Sequence, residues 1–104
     1  MPRVIVFDVI ETMLDLRALD PPFKRVFGHV AVRQQWFTQM LQSALVATVT
    51  DRYADFGTIG RAALRMAAEK LGRALSDSQE QEILGAVRSL PPHPDVRGAL
   101  EQLR

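Results

Sequence analysis

Residues 4–7 (VIVF) form a short apolar run that ends at Asp8 and limits the folds open to this chain. Four consecutive apolar residues, three of them β-branched, are typical of a strand buried on both faces of a parallel sheet. Such a strand needs partners for its backbone N–H and C=O groups. The sequence offers no second convincing strand, because residues 45–50 continue a helical pattern. We therefore expect the run to pair with a longer chain or with a second copy.

The remainder of the sequence predicts five helices. Apolar residues recur at three- and four-residue spacing in segments bounded by capping residues, prolines or glycines. The predicted helices cover residues 21–27, 30–48, 56–71 and 77–89, and a last one follows Asp95. A proline-rich segment, 91–94, separates the last helix from the others. The residues of that helix expected to face inward are Val96, Ala99, Leu100 and Leu103.

Composition excludes several classes of function. The 104 residues carry 13 Lys and Arg against 12 Asp and Glu, and a net charge of +1 argues against a nucleic-acid binder. The absence of Cys excludes disulfides, thiolate zinc sites and a thiol nucleophile. No apolar run approaches the roughly 20 residues of a membrane helix. The two His are isolated. We expect a soluble cytoplasmic protein without a metal, a nucleic-acid partner or a membrane partner.

Asp8 is the candidate reactive group, because open α/β folds place their reactive side chains at the carboxyl ends of strands. A carboxylate exposed there can attack an electrophilic carbon or phosphorus and form a covalent ester. Thr12, four residues later, could turn its hydroxyl toward the same point. The alternative is that Asp8 only caps the turn after the strand, and spacing alone favours this alternative.

Residues 4–15 (VIVFDVIETMLD) resemble the first motif of the haloacid dehalogenase superfamily: an apolar strand, a nucleophilic Asp and a Thr four positions later. The subsequent order of helical insertion, proline break and core helix is similar to superfamily members with a helical cap between their first and second motifs. Residues 33–35 (RQQ), early in the long helix, and Tyr53 and Phe56, before the next one, make the L-2-haloacid dehalogenases the closest resemblance.

The resemblance implies an α/β fold, a haloacid dehalogenase-like Rossmannoid core with an α-helical bundle cap. Residues 1–14 would supply the first strand and the nucleophile loop, residues 15–92 the cap, and residues 93–104 the first core helix. The core would then be incomplete, and the complete protein would be about twice this length.

The resemblance also implies a hydrolase that acts on carbon–halide bonds. Asp8 would displace halide from C2 of a small halogenated carboxylic acid with inversion, and water would then hydrolyse the aspartyl ester. Thr12 would position the nucleophile or the substrate carboxylate. Arg33 would meet the departing halide or the substrate. No cofactor is implied for this reaction.

The residues themselves leave the role of Arg33 open. It lies one turn before Trp36 and Phe37, so its guanidinium could bind an anion beside aromatic surface. Its stem could equally cover apolar side chains of the same helix while the charge stays in water. The candidate substrate-binding residues are Ile10, Trp36, Tyr53 and Phe56. Aromatic residues at helical spacing are more often plain core.

Two positions depart from the family pattern. Superfamily phosphatases carry a second Asp, a general acid, where this chain has Ile10. Because halide leaves without a proton, Ile10 favours dehalogenation over a magnesium-dependent phosphatase, which stays an alternative. Well-known dehalogenases have an aromatic residue at that position and a Gly next, where this chain has Glu11. A carboxylate there would repel an anionic substrate unless it points away.

The family's downstream Ser or Thr, Lys and acidic motifs cannot be placed before Arg104. Without a positioned Lys, the charge of Asp8 and of an anionic substrate would lack compensation. We therefore expect the chain alone to be inactive, with a C-terminal half or a second copy needed to complete the sheet. The competing hypothesis is a non-catalytic helical module that binds a partner through its apolar helix faces.

Overall fold

A computed structural model describes residues 2–104. A short 3₁₀ helix, Leu16–Leu19, which the sequence pattern did not predict, leads into five α-helices. They are α1 (Asp20–Phe27), α2 (Ala31–Val49), α3 (Phe56–Lys70), α4 (Asp77–Val87) and α5 (Val96–Gln102). The five predicted helices are confirmed. In the described part of the chain, no helix has the length and hydropathy needed to cross a bilayer.

Local capping chemistry sets the helix ends. α4 begins with a capping box, in which the Ser76 hydroxyl accepts from the Gln79 amide at 3.2 Å and Gln79 Oε1 accepts from the Ser76 amide at 3.1 Å. Asp55 caps α3 by accepting from the Thr58 amide at 2.8 Å, and this bond lowers the pKa of the Asp55 carboxyl. α1 ends at Gly28, whose φ of 77° is the left-handed conformation that glycine adopts without steric cost.

The core lies among α1, α2, α3 and α4, and Trp36 of α2 is its largest fully buried side chain. The Trp36 ring lies 5.4 Å from that of Phe23 in α1. Its indole N–H donates to the carbonyl oxygen of Gly60 in α3 at 2.9 Å. Burial of each such large side chain contributes about 1.5–3 kcal/mol. Because Trp36 contacts both neighbouring helices, it is central to the stability of the bundle.

Residues 4–7 form no strand within residues 2–104, as expected for a strand whose predicted partner lies outside this range. Val4 and Val6 are 87% and 88% exposed, and residues 2–104 contain only isolated bridges, Ile10 with Leu14 and Leu14 with Pro92. The physical reason is that nothing in this range offers residues 4–7 a ladder partner. Pairing with a longer chain or a second copy stays a prediction.

The inward packing predicted for α5 is not seen among the described residues. α5 contains no buried residue, and Leu100 and Leu103 are 39% and 54% exposed. Two leucines of α2, Leu41 and Leu45, are likewise 48% and 64% exposed. The apolar spacing is present on both helices, but no helix of residues 2–104 covers these side chains.

Candidate active site

Asp8 and Thr12 lie together directly after the apolar run. Both residues are exposed, and the Thr12 hydroxyl donates a hydrogen bond to Asp8 Oδ2. Asp8 Oδ1 accepts no hydrogen bond from any residue in the range 2–104. One carboxylate oxygen is therefore anchored while the other is open to solvent. This is an arrangement that a carboxylate nucleophile can use.

Residues 9–14 form a tight turn that brings Thr12 back to Asp8. We call it the nucleophile turn. The carbonyl oxygen of Val9 accepts from the amides of Met13 at 2.8 Å and of Leu14 at 3.1 Å. Glu11, within the turn, has a φ of 73°, the left-handed region that L-residues rarely adopt. That conformation costs a residue with a Cβ on the order of 1 kcal/mol. The resemblance places a Gly at this position, and Gly has no such cost.

The proline-rich segment 91–94 packs against the nucleophile turn. The Asp15 amide donates to the carbonyl oxygen of Pro91 at 2.8 Å, and the His93 amide donates to that of Met13 at 2.8 Å. His93 Nε2 lies 2.7 Å from the carbonyl oxygen of Glu11. Since a carbonyl oxygen only accepts, Nε2 carries the proton. The sequence pattern did not predict this contact, because its partner is a backbone atom 82 residues away.

Arg17 interacts with the acidic side chains beside the nucleophile turn. Its Nη2 lies 2.9 Å from Asp15 Oδ2, and the hydrogen bonds from Arg17 lower the pKa of Asp15 to about 2. The pKa of Arg17 is raised, chiefly by Asp15 and further by the charges of Glu11 and Asp20. Arg17 therefore acts electrostatically on Glu11, whose carboxylate was expected to repel an anionic substrate.

Arg33 is ion-paired rather than free. Its Nε lies 2.5 Å from Asp20 Oδ1, and the two side chains are 20% and 33% exposed. Within residues 2–104, no hydrogen bond or salt bridge joins Arg33 to Asp8. Nη1 and Nη2 of the guanidinium still have N–H groups that can bind an anion. The predicted contact of Arg33 with halide or substrate stays a prediction.

The four candidate substrate-binding residues lie in three separate places. Trp36 and Phe56 line a cleft of about 680 Å³ between α2, α3 and α4, whose lining includes neither Asp8 nor Arg33. Tyr53 is 93% exposed. Ile10 is half-buried in the nucleophile turn and packs against the core. Of these candidates, Ile10 is the one that belongs to the turn beside Asp8.

Glu80 is a buried charge that the sequence pattern did not reveal. It is 6% exposed, and its carboxylate lies 2.8 Å from Arg61 Nε and 3.0 Å from Arg65 Nε. These ion pairs connect α4 to α3. The described residues contain no group of three or more His, Asp or Glu that could hold a metal ion.

Known proteins similar to this chain are dehalogenases, although no protein-family model matches it. The (S)-2-haloacid dehalogenase H-109 of Pseudomonas putida is 28% identical over 102 residues, which cover 96% of this chain and 46% of that protein. The (S)-2-haloacid dehalogenase of Xanthobacter autotrophicus is 27% identical over 105 residues, covering 99% of this chain and 42% of that protein.

Solved structures agree with the sequence comparison. The L-2-haloacid dehalogenase from Xanthobacter autotrophicus matches with a TM-score of 0.85 and 27% identity, over 93% of this chain and 40% of that one. The same enzyme with chloropropionic acid covalently bound matches with a TM-score of 0.83 and 25% identity. This chain spans less than half the length of these relatives. The resemblance to L-2-haloacid dehalogenases and the haloacid dehalogenase-like fold class are confirmed.

Proposed function

We propose that this chain supplies the nucleophile and the helical cap of a hydrolase that cleaves the carbon–halogen bond of a small 2-haloacid. The observation that carries the proposal is the Asp8–Thr12 pair, with one free carboxylate oxygen, at the end of the apolar run. The likeness to a dehalogenase that holds chloropropionic acid covalently supports the same chemistry.

In the proposed reaction, Asp8 Oδ1 attacks C2 from the side opposite the halogen. The new C–O bond forms as the carbon–halogen bond breaks, the halide leaves with the bonding electron pair, and C2 is inverted. Water then adds to the ester carbonyl carbon of Asp8. The alkyl oxygen departs with the product, a 2-hydroxy acid, and one proton passes to solvent. Thr12 holds Oδ2, which directs Oδ1 toward the substrate.

Ile10 supports dehalogenation over phosphate ester cleavage. A phosphatase needs an acid that protonates the leaving oxygen, and the half-buried alkyl side chain of Ile10 cannot supply a proton. Halide leaves without a proton, so the proposed reaction needs neither that acid nor a metal cofactor. Arg33 would stabilise the departing halide or the substrate carboxylate through the N–H groups that Asp20 does not occupy.

The proposed reaction needs a positive charge near Asp8 that residues 2–104 do not supply. The two lysines of the sequence, Lys24 and Lys70, lie on α1 and α3, and within residues 2–104 no cation forms a salt bridge with Asp8. The negative charges of Asp8 and of a 2-haloacid would therefore repel one another. We propose that a further segment or a second copy supplies the compensating charge and pairs with residues 4–7.

The test of the proposed function is chloride release from 2-chloropropionate by the complete protein. Asp8→Asn should abolish release without unfolding the protein, because an amide is a poor nucleophile. Asp51→Asn is the matched control, since Asp51 is an exposed aspartate that follows α2, and it should leave the rate unchanged. Full activity of the Asp8→Asn variant would remove Asp8 from the nucleophile role.

Three further outcomes separate the remaining alternatives. Chloride release by the 104 residues alone would show that no further segment is needed for the reaction. If the complete protein releases no chloride, the non-catalytic helical module is favoured, and magnesium-dependent release of phosphate from an aryl phosphate would indicate the phosphatase.

A further inference from the structure

His93 makes two tertiary contacts with the nucleophile turn. Its Nε2–H donates to the carbonyl oxygen of Glu11 at 2.7 Å, and its backbone N–H donates to that of Met13 at 2.8 Å. The residue follows Pro91 and Pro92 and precedes Pro94, and prolines restrict the backbone on both sides of it. A stiff segment therefore presents both donors to the turn.

The first of these contacts falls on the strained residue of the turn. Glu11 has a φ of 73°, and such a conformation persists only where surrounding contacts hold it. The His93 side chain bonds the carbonyl oxygen of Glu11 itself. Because Glu11 lies between Asp8 and Thr12, any relaxation of its backbone moves the Thr12 hydroxyl relative to Asp8 Oδ2. The His93 contact thus acts on the carboxylate through the turn.

The hydrogen bond does not depend on the charge of the imidazole. Nε2 carries a proton both in the cation and in the neutral tautomer that donates to Glu11. The charge of His93 helps to lower the pKa of Asp15, and Asp15 is already paired with Arg17. The contact is therefore a fixed support of the turn rather than a switch.

We propose that His93 is a positioning residue for the nucleophile: its side chain holds Glu11 in the left-handed conformation and thereby keeps Asp8 and Thr12 in register. This inference rests on the proposed function, since it assigns to His93 an effect on the reaction of Asp8. Substrate recognition is left to other groups, so His93 should influence kcat more than KM.

Three variants of the complete protein test the proposal. His93→Phe keeps a planar ring and the backbone N–H but removes the side-chain donor. His93→Gln returns an amide N–H close to the position of Nε2. His29→Phe is the matched control, because the ring of His29 accepts from the Ala31 amide at 3.1 Å, at the start of α2.

Chloride release from 2-chloropropionate is the first measurement. We expect His93→Phe to lower kcat about ten- to a hundredfold, as misplacement of a reacting group does, with KM changed by no more than about twofold. His93→Gln should recover most of the rate, and His29→Phe should keep it. Unchanged kcat in His93→Phe, or equal loss in the phenylalanine and glutamine variants, would overturn the proposal.

Amide hydrogen exchange is the second measurement and needs no turnover. The amides of Met13 and Leu14, which bond to the carbonyl oxygen of Val9, should exchange about tenfold faster in His93→Phe, while those of α3 keep their rates. Unchanged exchange at Met13 and Leu14 would overturn the proposal whether or not chloride is released. Faster exchange in a protein that releases no chloride would contradict the proposed function and leave His93 as the support of the turn.

Discussion

Asp8 owes its local environment to a turn only a few residues long. The four-residue spacing between Asp8 and Thr12 indicated that the hydroxyl could turn back toward the carboxylate, and the structure shows this contact. The positive φ of Glu11 and the bond from His93 were not predicted. Neither residue type indicates such a role, because the conformation of Glu11 is imposed by contacts with a segment distant in the chain.

Asp15 should make the stability of the protein depend on pH. Arg17 holds the pKa of Asp15 at about 2 in the folded state, below the ordinary value of 3.8. A depressed folded pKa stabilises the native state above the unfolded pKa, and this stabilisation is lost as pH falls from about 4 to about 2. Asp15→Asn should therefore lower the free energy of unfolding at pH 7 and have little effect near pH 2.

Urea unfolding of both proteins across this pH range checks the prediction for Asp15. Asp95→Asn serves as the control, because the Asp95 side chain makes no capping hydrogen bond, and it should show no comparable trend. A stability difference for Asp15→Asn that persists unchanged below pH 3 would contradict the assignment.

At the scale of elements, the five helices followed from the spacing of apolar residues and from their caps. The capping box Ser76–Gln79 marks the start of α4 in both sequence and structure. The burial of Glu80 could not be predicted from the sequence. An acidic side chain in the first turn of a helix is normally solvated and interacts favourably with the helix dipole. The tertiary packing of α4 on α3 places it beside Arg61 and Arg65 instead.

Glu80→Gln should destabilise the protein by about 1–3 kcal/mol, because a buried group loses charge-assisted hydrogen bonds that an amide only partly replaces. Arg65→Ala should cost less, since Arg61 still pairs with Glu80. Glu82→Gln is the matched control on the same helix. Glu82 pairs with Arg25 near the surface, with 38% of its side chain exposed, and such pairs contribute about 0–1 kcal/mol. Equal urea midpoints for the two glutamine variants would contradict this account.

At the scale of the whole molecule, the buried and exposed apolar groups divide the chain. Helices α1 to α4 share a closed core around Trp36, whereas residues 4–7 and α5 leave apolar side chains uncovered. The sequence predicted that residues 4–7 need an external partner, since an isolated strand cannot satisfy its own backbone. It placed α5 inside a core because periodicity indicates which face is apolar but not what covers that face.

Local contacts of the site could be predicted from the sequence, whereas long-range ones could not. Asp8 and Thr12 are neighbours in sequence and meet in a local turn. The distance between Arg33 and Asp8 depends on how the helical bundle lies relative to Asp8. In the structure Arg33 pairs with Asp20. Spacing along one helix carries no information about such a long-range arrangement. A catalytic contact of Arg33 therefore stays a prediction.

The source of the oxygen in the product distinguishes an aspartyl ester from direct attack by water on C2. With the complete protein in excess over 2-chloropropionate in isotopically heavy water, hydrolysis of an aspartyl ester should place heavy oxygen in the Asp8 carboxylate. The hydroxyl of the product should carry ordinary oxygen from Asp8. Mass spectrometry of the peptide that contains Asp8, together with the product, reads both positions. Heavy oxygen in the product hydroxyl with none in Asp8 would show direct attack by water and contradict the proposed mechanism.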